Sequence, residues 1–190
     1  MNINRFTRTI YLVYTQFFLK KRLKQVGKKA IIFAPMQIDG IKNISIGESS
    51  FVGENGWLCS NKDIGKSDLK IGKNVTIGHF AHIVAWENVS IEDYVLIADK
   101  VFISDCTHEY ESIQTPISLQ NIKVLEKVKI GMGSWIGENA CIIGASIGEH
   151  CIIAANAVVI HDIPDYCVAV GAPAKVIKRF NLKTQKWERV

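Results

Sequence analysis

Residues 105–110 read Asp-Cys-Thr-His-Glu-Tyr. An imidazole with an ordinary pKa near 6.5 can take a proton at neutral pH, which makes His108 the first candidate for a general base. Asp105 or Glu109 could orient its ring, as a carboxylate does in a triad, and Asp105 could equally open a loop through an Asx turn. Cys106, two residues from His108, admits a second chemistry, a nucleophilic thiol beside a base. A third chemistry would use histidine as a metal ligand. The chain has five histidines, His79, His82, His108, His150 and His161. His79 and His82 stand three apart, a loose ligand pair, and an open three-histidine site would be competent for metal-assisted hydration.

The cysteines argue against a structural metal or a disulfide frame. Cys59, Cys106, Cys141, Cys151 and Cys167 show no C-x2-C spacing. The N-terminus has no long apolar run ending in small residues, so the thiols are expected to be reduced in a cytoplasmic protein. The 190 residues suffice for one domain with a full core, and 48% hydrophobic with 22% charged residues is ordinary for a globular chain. The net charge of +5 is concentrated at the two ends. Lys20, Lys21, Arg22, Lys24, Lys28 and Lys29 cluster near the start, and Lys175, Lys178, Arg179, Lys183 and Lys186 near the end. Such ends suggest anionic partners.

The element that must position these groups counts in sixes. Ile46 and Val52; Ile71, Ile77 and Ile83; Ile91, Ile97 and Ile103; Ile130, Ile136 and Ile142; and Ile147, Ile153 and Val159 recur at that spacing. Seven of the fourteen residues that follow them are glycine. Random placement would give about one, so the repeat is a strong signal. Six fits neither a plain helix nor a plain strand. It fits a short strand plus a corner, three of which close a triangular coil. The Ile or Val points inward, and glycine near the corner permits a sharp turn. Small residues four places on, Ser50, Ala81, Ser134, Ala140, Cys151 and Ala157, fill the vertices. The count stops over residues 104–129. Regular coils offer no pocket, so this protruding loop, which carries His108, is the expected functional segment.

The repeat, the strings "SDCTHEY" and "TPISLQ", the run "SWIGENACIIGASIGEHCIIAANAVV" and the ending "DIPDYCVAVGAPAKVIKR" resemble the hexapeptide-repeat acyltransferases. Among these the chain is most similar to sugar O-acetyltransferases of surface-polysaccharide biosynthesis. The resemblance covers roughly residues 38–178. It implies an all-β solenoid, a left-handed parallel β-helix, against the usual right-handed crossover rule. It implies a homotrimer whose protruding loop reaches toward a neighbouring subunit. It implies acetyl-CoA as cosubstrate, a saccharide acceptor, no metal and no nucleic acid. His108 matches the base of a D-x-x-H-x-Y pattern that also includes Asp105 and Tyr110. Cys106 stands where similar motifs often carry a second histidine. Direct transfer in a ternary complex leaves Cys106 no acyl-enzyme to form, since the donor is already a thioester.

For the donor the resemblance points to Trp135 beside the pantetheine arm. Ala154, Ala155, Gly171 and Ala172 are small enough to let the arm approach, and Lys175, Lys178 and Arg179 could meet its phosphates. His79, His82 and Tyr110 are candidates to line the acceptor pocket. The metal reading weakens here, because carbonic anhydrases of this fold carry a His-x4-His pair that this chain lacks. N-acetylation of an amino sugar would use the same base and donor site. A purely structural β-helix would need neither the loop nor the "GAPAKVIKR" ending.

The domain plan is residues 1–30 as helix and linker, 31–180 as the β-helix acyltransferase domain, and 181–190 as a C-terminal tail. Residues 3–26 are expected to form an amphipathic helix with Phe6, Ile10, Tyr14, Phe17, Phe18 and Leu23 near one face. It is too short and charged to span a bilayer. Either that face caps the open first coil, or the basic helix lies on anionic lipid at the inner face of the membrane.

Overall fold

The computed structural model describes residues 5–61 and 67–190. The chain visits three sheets in rotation. The first sheet takes Gln25–Val26, Ile44–Ile46, Asp68–Ile71, Asn88–Ile91 and Val128–Ile130. The second begins with Ile31–Ile32, Phe51–Val52, Thr76–Ile77, Leu96–Ile97, Trp135–Ile136 and Ile152–Ile153. The third takes Gln37–Asp39, Trp57–Ser60, His82–Ala85, Phe102–Ser104, Cys141–Ile143 and Val158–Val159. All pairings within these runs are parallel. Every third strand falling in the same sheet makes a three-sided solenoid, with about 4.8 Å between coils.

The sixfold residues register one above another. Ile46, Ile71, Ile91 and Ile130 are successive partners on the first sheet. Val52, Ile77, Ile97, Ile136 and Ile153 align on the second, and Leu58, Ile83, Ile103, Ile142 and Val159 on the third. All are buried. Full burial of each stabilises the fold by about 1.5–3 kcal/mol. The small residues assigned to the vertices are buried as well, and Ser50 and Ser134 each bind two backbone groups across coils.

The glycines serve a different purpose from the one expected. The turn itself is made by non-glycine residues in the left-handed region, among them Asn74, Tyr94 and His150 at one corner and Phe80, Lys100, Asn139 and Asn156 at the next. Their N–H groups donate down the stack, as from Lys100 to the His79 carbonyl at 2.8 Å and from Asn156 to the Glu138 carbonyl at 2.9 Å. Glycine follows the inward Ile because the next coil passes too close for a side chain. A Cβ on Gly53 would lie 2.6 Å from the Gly78 carbonyl oxygen.

The ends differ from expectation too. The α-helix runs only over Arg5–Phe17, and residues 3–4 lie outside the described residues. A 3-10 turn, Leu19–Lys21, follows, and the chain enters the first coil at Gln25. Leu19, Leu23 and Val26 are buried there. The helix does cap this coil. The Thr15 hydroxyl accepts from the Ile32 N–H at 3.0 Å, and the Gln16 amide donates to the carbonyls of Gly27 and Ala30 at 3.0 and 3.1 Å. Tyr11 packs edge-on against Phe33. At the other end, Cys167–Val170 joins the second sheet and pairs antiparallel with Lys175–Asn181, which pairs with Lys186–Arg189. The segment expected as a tail is thus half of a hairpin. Val176, Phe180 and Trp187 suit strands, and the basic residues blunt the outer edge.

Candidate active site

The interruption is itself a hairpin. Strand Cys106–His108 pairs antiparallel with Ile122–Val124, with His108 opposite Ile122. The Leu125 N–H to Asp105 carbonyl bond closes its base, and the Glu109 N–H to Asn121 carbonyl bond extends the ladder toward the tip. Its outer part is organised by Gln120, whose amide donates to the carbonyls of Ser112 and Thr115 at 2.9 and 2.7 Å. His108 and Tyr110 are exposed, as are Ile113 (94%), Ile117 and Leu119 (75%) at the tip.

Asp105 lies at the root, 1% exposed, with its carboxylate taken up by backbone N–H groups. Its Oδ1 accepts from Trp86 N–H at 2.6 Å and its Oδ2 from Glu87 and Asn88 at 2.8 and 2.7 Å. It clamps the hairpin's origin to the corner of the preceding coil. The Ser104 hydroxyl donates to the Cys106 carbonyl at 2.9 Å and accepts the Cys106 N–H at 3.1 Å. Burial raises the Cys106 thiol above its ordinary pKa, with a smaller opposing effect from Ser104 and a further rise from Asp105. The neighbouring Cys59 thiol is pushed up to about 11, first by burial and then by Asp39. Both are protonated thiols at neutral pH, the wrong state for a nucleophile.

His79 and His82 stand in different surroundings. His79 sits in a corner, where its ring Nδ1 accepts the Glu54 backbone N–H at 3.2 Å and its backbone N–H donates to Asp99 Oδ1 at 2.8 Å. His82 lies on the outer surface of the third sheet, stacked on Trp57 at a 4.2 Å ring separation and against Phe102 at 5.3 Å. Its Nε2 is buried without a hydrogen-bond partner, and burial lowers its pKa. The hairpin starts at the end of that same sheet.

Most donor candidates converge. Ala154 and Ala155 occupy the corner between second and third sheets, and Gly171 and Ala172 occupy it one coil later; the Ala154 N–H bonds the Ala169 carbonyl and the Gly171 carbonyl accepts from Val158. Ala155, Gly171 and Ala172 are exposed. Trp135 is 49% exposed on the second sheet, one coil before Ile152 and two residues short of this corner. Lys175 pairs with Val170 beside it. Lys178 and Arg179 run away along the strand, about 10–14 Å farther at ordinary strand rise.

The structure adds residues that the sequence reading passed over. A cavity of about 320 Å³ at the same corner is lined by Lys100, Glu138, Asn139, Ala155 and Asn156. Asn139 donates to Asn156 at 2.7 Å, and Lys100 pairs with Glu138 at 3.2 Å. The signal was available: Lys100, Asn139 and Asn156 each stand three residues after an inward Ile.

A parallel three-sided solenoid of hexapeptide coils, interrupted by a histidine-bearing hairpin, defines the class of hexapeptide acyltransferases. Residues 127–160 match the family model described as the hexapeptide repeat of succinyl-transferase. WbbJ of Escherichia coli strain K12, named for O-acetyl transfer in lipopolysaccharide biosynthesis, is 36% identical over 166 residues, 84% of this chain and 83% of WbbJ. Galactoside O-acetyltransferase of the same organism is 33% identical over 132 residues, 68% of this chain and 64% of that enzyme. A variant of the N-acyltransferase AntD of Bacillus cereus, solved with an amino-sugar nucleotide and coenzyme A, matches with a TM-score of 0.75 over 90% of this chain and 92% of AntD. Its 23% identity supports the fold alone. The chain belongs to the hexapeptide-repeat acetyltransferase family.

Proposed function

We propose that the protein is an acetyl-CoA-dependent O-acetyltransferase acting on a saccharide hydroxyl in capsule, exopolysaccharide or lipopolysaccharide biosynthesis. The observation that carries this reading is the placement of His108, exposed on the hairpin that interrupts the coils at 104–129, in a chain whose family is acetyltransferase. The imidazole of His108 takes the proton of the acceptor hydroxyl and returns it to the departing thiol of coenzyme A. The acetyl carbon exchanges its C–S bond for a C–O bond. Asp105 acts by fixing the root of the hairpin. Tyr110 and His82 contact the acceptor, and His79 shapes the adjoining corner. Trp135, Ala154, Ala155, Gly171 and Ala172 accommodate the pantetheine arm, with Lys175 and Lys100 nearest to receive its phosphates and Lys178 and Arg179 farther out.

The coil is left-handed, as the family implies, and the working unit is a homotrimer. The exposed Ile113, Ile117 and Leu119 at the hairpin tip support an interface there, since apolar tips of this kind are ordinarily covered. The enzyme works in the cytoplasm, where its donor is made, with its N-terminal end toward the membrane. Among the described residues no helix is long and apolar enough to cross a membrane.

Thiol release from acetyl-CoA against a panel of sugars and amino sugars tests the reading. Release stimulated by a plain sugar, with an alkali-labile ester as product, is expected. Stimulation by amino sugars alone, giving an alkali-stable amide, would transfer the assignment to N-acetylation.

A further inference from the structure

The N-terminal helix buries the opposite side from the one its apolar stripe suggests. Tyr11, Thr15 and Leu19 face the first coil. Phe6, Ile10, Val13 and Phe17 lie roughly half a turn round the helix at 100° per residue. They face solvent, with Phe6 72% and Phe17 66% exposed, and Phe18 (64%) extends the patch. Phe6, Ile10, Val13, Tyr14 and Phe18 line an apolar recess of about 370 Å³ on this outer surface. A surface helix in contact with water alone would show its polar side outward.

The charge around this patch is as one-sided as its polarity. Residues 1–38 hold eight of the chain's 23 Lys and Arg and none of its 18 Asp and Glu. The remaining residues therefore carry 15 positive against 18 negative charges, so without this end the molecule would be acidic. Lys20, Lys21, Arg22, Lys28 and Lys29 are all exposed in the turns that follow the helix.

We propose that the capped end of the solenoid docks on an anionic lipid bilayer, with Phe6, Ile10, Val13, Phe17 and Phe18 in the headgroup–acyl boundary and the lysines on lipid phosphates. An apolar helical face beside cations is what such a surface binds. Charge decides against a second copy as the occupant, because two such ends face to face would oppose sixteen positive charges with no negative ones. The hairpin with His108 leaves the third sheet at the fourth coil, three steps or about 14 Å along the axis from this end. A saccharide anchored in the same membrane would lie within reach. That consequence rests on the acetyltransferase reading; the docking itself does not.

The test is co-sedimentation of the full-length protein with two kinds of vesicle, phosphatidylcholine alone and with about a third phosphatidylglycerol, at about 0.1 M and about 1 M salt. Binding to the anionic vesicles at low salt, lost at high salt, is expected. Ile10→Ser with Phe17→Ser should weaken it at least tenfold without moving the melting temperature, since both side chains are exposed. Neutralising Lys20, Lys21, Lys28 and Lys29 to Gln should weaken it by roughly fivefold for each residue that sits at the surface. Absence of binding at low salt, or binding indifferent to the Ile10/Phe17 change, would overturn the proposal. So would a fall in lipid-free oligomeric mass on that change, which would assign the patch to a second copy. Thiol release measured on the same preparations keeps failure of docking separate from failure of the enzymatic reading.

Discussion

The inward columns of the coils and the hairpin at 104–129 hold their residues in different ways. In the columns each Ile is buried between like residues of the coils above and below, and each strand inside a sheet is bonded on both sides. In the hairpin the strands bond only to each other, residues 110–119 are exposed, and three anchors hold the rest: Asp105 at the root, Ser104 beside it and Gln120 at the tip. Repetition makes the coil rigid and chemically blank. The interruption gives up that redundancy and gains a free imidazole. Stability and chemistry should therefore separate on mutation.

The largest contrast is between two equal truncations. Ile97→Ala, in the column between Ile77 and Ile136, should cost about 2–5 kcal/mol by chemical denaturation. Ile113→Ala, at the exposed tip, should stay within about 0.5 kcal/mol for the isolated chain. Comparable losses at both sites would refute the separation.

Asp105 joins the two regions and should show both kinds of effect. Asp105→Ala strips an acceptor from three backbone N–H groups, at a cost of about 1–3 kcal/mol. It should also lower kcat about tenfold while the KM for acetyl-CoA holds. Asp105→Asn, which keeps one carbonyl oxygen, should recover part of each. Loss of kcat with no change in unfolding would instead return Asp105 to the imidazole.

How much of this was legible follows from the range of each signal. The columns were readable because a sixfold period is local and repeated many times. That His108 would stand on a protruding segment was readable from the break in that count. The clamp was not, because the partners of Asp105 lie 17–19 residues earlier and bind through backbone N–H, which carries no side-chain signature. The helix was legible as a cap, but which of its faces meets the coil was not, for a similar reason. Hydropathy favours burying Phe6, Ile10 and Phe17, but the open coil edge needed hydrogen-bonding partners, and Thr15 and Gln16 supply them. The glycines were found by spacing, yet the spacing could not tell a sharp turn from a close coil-to-coil approach.

A smaller effect concerns pH. Burial lowers the pKa of His82, so its unfolded form binds a proton more readily than its folded form. Its contribution to stability is complete above the unfolded value near 6.5 and is lost as pH falls through the folded value. His82→Phe, which keeps the packing against Trp57 and Phe102, should flatten that part of the melting-temperature profile below pH 6.5. An unchanged profile would mean that His82 titrates alike in both states.

The smallest expected effect is at Cys106. With its thiol raised by burial, Cys106→Ser should retain most activity, and mixing the native protein with acetyl-CoA alone should leave its mass unchanged. One added acetyl group on Cys106 would establish an acyl-enzyme instead.

The central claim is that His108 is the base and that the coil stands without it. The direct measurement is His108→Ala assayed for thiol release in the presence of acceptor and, in the same preparation, for thermal unfolding. The account predicts kcat lower by about 10²–10⁴ with donor affinity and melting temperature unchanged. Near-normal turnover would contradict it.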